Sequence, residues 1–245
     1  MLEHSLVADP SASRLFPGKM FGHLISLGGN CEPALQLRRT GRHHTHALFD
    51  WLVTPMDAIA DILADDGARL ATRFFAANDG TSAGCAEYGL LYHHEFPRGD
   101  RDVILFDAEA IARCRSKLLY KMARFITVCS GAGPVLFIHA WPETDLGWDR
   151  FGRGKAPVRS ADLNGLADAI EKRFPQLDFA LLIVTLDSDR HNDFSEPLDP
   201  RISIAVLPQL DGRWSAANAD WDALLARIAY VGEGEASEAE TLYWF

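Results

Sequence analysis

No run of apolar residues in this 245-residue chain approaches the roughly 18 that a membrane-spanning helix needs. The first 20 residues also lack the apolar stretch of an export signal, being interrupted by Asp9, Pro10, Ser11 and Ser13. A cytoplasmic protein without membrane contacts is therefore expected. Positive charge is in short supply: 24 Lys and Arg stand against 34 Asp and Glu, a formal net charge of −10. That balance lacks the basic footprint of a nucleic-acid binder. Cysteine is scarce, with only Cys31, Cys85, Cys114 and Cys129, and none forms a C-x-x-C pair. A zinc knuckle or disulfide framework is not indicated, and reduced thiols are expected. No linker, internal repeat or low-complexity block divides the chain.

What is present reads as one globular unit, with hydrophobic residues at 48%. Residues 1–20 are expected to form a loosely ordered leader, 21–231 a single α/β domain and 232–245 an acidic C-terminal tail. Phe21 to Leu27 is a short apolar run ending at Gly28-Gly29-Asn30, which predicts a strand and a tight loop. Pro33 suits a helix's first turn and Gly41 its end. A helix is expected over 55–63. Residues 64–102 are expected to be loops with short elements near 87–92. Asp107 caps a long helix carrying Ile111, Cys114, Leu118, Met122 and Phe125 on one face. Residues 135–141, 179–186 and 202–207 are apolar on both faces, separated by a helix over 159–173 and followed by another over 221–228. This pattern predicts a three-layer α/β/α sandwich around a mostly parallel sheet.

In such a sheet, sites gather beyond the C-terminal strand ends. Cys31 lies just past one and just before a helix. Backbone N–H groups and the helix dipole there favour an anion, so a lowered thiol pKa is expected. Backbone amides near Asn30 and Cys31 could hold a developing oxyanion, and Gly28 and Gly29 allow close substrate approach. A buried cysteine that merely fills space is the simpler reading. A dinucleotide site is disfavoured, because the loop lacks the third glycine of that fingerprint.

A nucleophile needs a base, and the base an orienting group. His94 in Tyr92-His93-His94-Glu95-Phe96 and His139 at a strand end are the candidates. Their simpler roles are a solvated loop residue and a core histidine. Asp50, between Phe49 and Trp51, is costly to bury unpaired. It either orients a histidine or pairs elsewhere. Arg38, Arg39 and Arg42 precede His43, His44 and His46, a loop that could bind a phosphate or carboxylate group, or simply be solvated. No carboxylate or cysteine has metal-ligand spacing to these histidines, and no cofactor is called for.

Ile25-Ser26-Leu27-Gly28-Gly29-Asn30-Cys31-Glu32-Pro33-Ala34, followed by Phe49-Asp50-Trp51-Leu52 and later His94-Glu95-Phe96, resembles a bacterial family of unknown function labelled "putative papain-like cysteine peptidase". The resemblance covers roughly residues 21–141. It implies a thiol nucleophile at Cys31, a base at His94 and an orienting Asp50. It also implies a cysteine opening a helix and a histidine supplied by a following antiparallel sheet. A papain-like α+β arrangement is thus the alternative architecture, and under a purely parallel one His139 becomes the rival base.

The leading functional expectation is a cysteine-dependent hydrolase or acyltransferase acting on a small molecule or peptide. The alternative is a non-catalytic module holding a sugar or phosphorylated metabolite at Gly28-Gly29-Asn30 and the arginines, with Trp51 and Trp141 available for stacking. A metal-dependent hydrolase using His43, His44, His46 or His139 with Asp50 is a third reading. No pattern in the amino-acid order encodes an oligomeric state.

Overall fold

His23–Ser26 (β1) is followed by a glycine loop and Glu32–Arg39 (α1), with a proline in the helix's first turn. The protein is described by a computed structural model over residues 14–42, 47–92, 94–131, 133–140, 158–187, 192–210 and 215–231. Val135–Ala140 (β6) lies beside β1, then Phe179–Leu186 (β7) and Ile202–Leu207 (β8), all parallel, in the order β1-β6-β7-β8. Side-chain alternation divides the core. Leu24, Leu136, Ile138, Leu182 and Val184 face Leu37 of α1 and Trp221 and Leu224 of Asn218–Ala226 (α5). Ile25, Phe137, Leu181 and Ile183 face Met56–Ala64 (α2), Ala108–Cys129 (α3) and Ser160–Arg173 (α4). Helices on both faces of a parallel sheet give the α/β/α layering that its doubly apolar strands require.

The expectation of loops over 64–102 with short elements near 87–92 holds at 90–92 but is corrected at 74–77 and 82–85, which are strands. Leu52–Val53 (β2), Phe74–Ala77 (β3), Ser82–Cys85 (β4) and Leu90–Tyr92 (β5) form a second, antiparallel sheet in the order β2-β5-β4-β3. Each of these strands is four residues or fewer, too short to show a period. Ser82, Ala83 and Gly84 carry almost no apolar signal, and at Gly84 the neighbouring ring leaves no room for a side chain as it stands. A β-carbon on Gly84 would stand 2.1 Å from the Phe75 ring. Both sheets share one core, since Leu52, Cys85 and Tyr92 belong to the same cluster as α2, α3 and α4.

Smaller outcomes follow the same physics. Asp107 caps α3 as expected, its Oδ1 accepting from the Ala110 amide at 2.6 Å. Residues 103–106 carry only an isolated bridge between Arg98 and Ile104; Ile104 is buried, while Val103 and Leu105 are exposed. Residues 14–20, assigned to the leader, are docked: Phe16 is buried, and Lys19 pairs with Asp178 at 2.5 Å. The acidic tail over 232–245 lies outside the described residues. Among the described residues, no helix is long and apolar enough to cross a membrane.

Candidate functional site

The chain leaves β1 toward α1 on one face of the sheet, whereas β6, its neighbour, is followed by α4 on the other face. Both chain exits lie at the C-terminal strand ends, the usual place for a site in such sheets. The loop Gly28-Gly29-Asn30-Cys31 occupies that position.

Both glycines are obligatory there. Gly28 has φ +77° and Gly29 φ +84°, which L side chains rarely adopt. A β-carbon on Gly29 would stand 1.8 Å from the Ala140 carbonyl oxygen of β6. One on Gly28 would crowd the carbonyls of Phe49 and Leu52 and the Thr54 hydroxyl at 3.0–3.1 Å. The loop therefore seats directly on residues 49–54, clasped by Thr54 N–H donating to Gly29 O and Ala140 N–H donating to Gly28 O at 3.1 Å. The cysteine-bearing segment and the Phe49-Asp50-Trp51 segment are in this way one interlocked unit. Ser26 completes the turn, its buried Oγ accepting from Gly28 N–H at 3.1 Å.

Cys31 is the N-terminal cap residue of α1 and is partly exposed, while Cys85, Cys114 and Cys129 are buried; all four are free thiols. The expected lowering of the Cys31 pKa is corrected. Burial, and then the nearby Asp50 charge, push the thiol up to about 11. At the helix terminus, Asn30 Oδ1 accepts from Glu32 N–H at 2.9 Å. The amides of Gly29, Asn30 and Cys31 have no acceptor among the described residues. The side-chain Nδ2 of Asn30, a residue only 2% exposed, has no partner among them either.

Asp50 is fully buried, with Oδ2 accepting from Ala47 N–H at 2.8 Å. Antiparallel pairing of β2 with β5, Leu52 opposite Tyr92, carries the residues just before β2 alongside those just after β5. There the Trp51 and His94 rings meet edge-on, with centroids 5.9 Å apart. His94 is exposed. His139 is of a different kind. It is fully buried, its Nε2–H donates to Thr54 O at 3.1 Å, and burial lowers its pKa to about 4. A carbonyl can only accept, so this bond fixes the tautomer. At pH 7 such an imidazole is a weak base that braces the glycine loop from beneath.

The arginine cluster is largely committed inside the molecule. Arg39 donates to Asp222 and to the Asn218 carbonyl, and Arg42 donates to the Leu225 carbonyl at 2.8 Å. Arg38, on the same helix, is exposed. His43, His44, His46, His93 and Trp141 lie outside the described residues. Among the described residues, no group of three or more His, Cys, Asp or Glu could hold a metal ion.

Sequence reading missed Thr54, the clasp of the loop, and Glu32, whose Oε1 accepts from Ala216 N–H at 3.0 Å and from Trp221 Nε1 at 2.8 Å. Burial raises the Glu32 carboxyl to about 7, the two donors offsetting only part of that. A lone glutamate before Pro33 carries no local sign of a partner 184 residues away.

Fold and site together define an α/β protein with a partly exposed thiol at a strand-to-helix turn, a buried aspartate whose charge acts on that thiol, and an exposed histidine whose ring meets Trp51. Residues 22–75 match the family described as "Putative papain-like cysteine peptidase (DUF1796)". The match includes Cys31, Asp50, Trp51 and Thr54 and ends before His94. No curated protein and no solved structure matches the chain.

Proposed function

We propose that this chain is a cysteine-dependent hydrolase or acyltransferase, with Cys31 as nucleophile, His94 as base and Asp50 as the orienting carboxylate. The observation that carries the reading is the interlock of residues 28–31 with 49–54, which sets a buried carboxylate close enough to act on the Cys31 thiol. A thiol at about 11 is ionised in only about one molecule in ten thousand at pH 7. Attack therefore requires proton removal in the same step, as with a serine nucleophile. Cys31 Sγ bonds to the carbonyl carbon while its proton passes to His94. The oxyanion is held by the amides of Gly29, Asn30 and Cys31. His94 then gives the proton to the leaving group, leaving a thioester. Water, or a second acceptor nucleophile, cleaves that thioester and restores the thiol. The substrate is a small molecule or peptide carrying a carbonyl.

p-Nitrophenyl acetate tests this directly. One equivalent of p-nitrophenolate should be released in a burst, with the acetyl group on Cys31 by peptide mass spectrometry. The burst should vanish in Cys31→Ala and slow in His94→Ala. Acetylation spread over other residues, or no burst, overturns the proposal.

The non-catalytic reading has one observation in its favour, the raised thiol pKa, which suits an inert cysteine. Its guanidinium cluster, however, is largely tied to α5.

A further inference from the structure

The motif His94-Glu95-Phe96 contains a residue that the proposed chemistry does not use. Glu95 directly follows the base, yet its side chain is only 1% exposed. Two ammonium groups hold it: Lys117 Nζ at 2.9 Å from Oε2, and Lys121 Nζ at 3.2 Å from Oε1. Both lysines lie on one face of α3, four residues apart. Lys121 is itself only 8% exposed. Desolvation pushes the Glu95 carboxyl up, but the charges of Lys121 and Lys117 outweigh it and hold the group below its usual range. Phe96 is fixed as well, its ring 5.0 Å from that of Phe74 and 5.1 Å from that of Phe106.

A buried carboxylate clamped by two lysines is an expensive way to hold a surface turn. Ion pairs of this kind contribute little net stability compared with apolar side chains of similar size, so their use points to a demand for fixed geometry. Among the described residues of this turn, His94 is the one that stays exposed while meeting the Trp51 ring.

We propose that Glu95, clamped between Lys117 and Lys121, is a positioning residue that fixes the turn on α3 so that the His94 ring rests against Trp51. The inference rests on the reading of His94 as the base. Its geometric content, however, is measurable without any reaction.

The test compares the full chain with Glu95→Gln/Lys121→Met, Lys121→Arg and His94→Ala. The double variant removes one charge of each sign, so neither partner is left buried and charged. Melting curves establish that each variant is folded. An imidazolium touching an indole quenches its fluorescence. The pH-dependent quench lost in His94→Ala therefore reports the Trp51–His94 contact against the background of the other tryptophans. In the double variant this His94-dependent amplitude should fall at least about twofold, and the acetylation burst should slow about tenfold, as expected when a catalytic group is displaced by a fraction of an ångström. Lys121→Arg should keep both near the starting values. Unchanged quench amplitude and midpoint in a folded double variant overturn the proposal. Failure of the nucleophile reading would show elsewhere, as an absent burst in the unsubstituted protein, and the fluorescence test would stand.

Discussion

The His94 ring meets the Trp51 indole edge-on, with centroids 5.9 Å apart. Trp51 is the next residue after Asp50, whose charge adds to burial in raising the Cys31 pKa. These two relations link three separate stretches of chain pairwise: the β1–α1 loop with the segment before β2, and that segment with the turn after β5. The fold accounts for the convergence. Pairing of β2 with β5 brings the second and third stretches together, and the fit of Gly28 against residues 49–54 brings in the first.

The glycine loop makes the most direct prediction about stability. Gly29→Ala places a β-carbon where the Ala140 carbonyl oxygen already sits, at a backbone angle that costs a non-glycine residue about 1–2 kcal/mol by itself. A total loss of at least about 2 kcal/mol is expected in urea unfolding. Gly41→Ala is the control. It has φ +67° with nothing within 4 Å, so it should lose only the backbone cost.

Glu32 and His139 give opposite pH dependences in nearly the same range. The Glu32 carboxyl is raised from 4.5 to about 7, so the folded protein holds a proton there that the unfolded chain has released. Its contribution to stability is complete below pH 4.5 and is lost as pH rises toward 7. The His139 imidazole is lowered from 6.5 to about 4, so its contribution is complete above pH 6.5 and is lost as pH falls toward 4. The two slopes partly cancel in the unsubstituted protein. In Glu32→Gln, which keeps an acceptor for Trp221 and Ala216, melting temperature should climb from about pH 4 to 6.5. In His139→Asn it should fall over about pH 4.5 to 7. Thermal melts at half-unit intervals check both, and a Glu32→Gln profile parallel to the original would remove the carboxyl from the account.

Truncation of Glu32 has a separate outcome. Glu32→Ala leaves the Trp221 Nε1–H and Ala216 N–H donors without an acceptor in a buried seam. Each such loss costs about 1–3 kcal/mol. Glu32→Ala should therefore melt well below Glu32→Gln at about pH 5, where the carboxyl is mostly protonated. Equal melting points would mean that water reaches the seam.

Much of this architecture is legible in the amino-acid order. β6 and β7 announce themselves as apolar runs and are buried on both faces, whereas β8, equally apolar in sequence, is an edge strand with Val206 exposed; Asp107, Pro33 and Gly41 mark helix ends by known capping and turn chemistry. The antiparallel sheet is not legible, because its strands are short and β4 carries mostly small residues, with Gly84 pressed against Phe75. At the site, Cys31 and Asp50 stand out as residue types in unusual company. What cannot be read locally is the sign of the Cys31 pKa shift. That sign depends on how deeply the fold buries the thiol and on Asp50 further along the chain. The commitment of Arg39 and Arg42 to α5 is hidden for the same reason, since their partners lie 183 residues away.

The central claim is that His94 takes the Cys31 proton. It is tested most directly by the rate of Cys31 alkylation with iodoacetamide from about pH 5 to 11, resolved by peptide mass spectrometry in the unsubstituted protein and in His94→Ala. The account predicts that Cys31 labels ahead of the three buried thiols. Its rate should show a rise across the imidazole range, which His94→Ala abolishes to leave only the climb toward about 11. Superimposable profiles for the two proteins would contradict it.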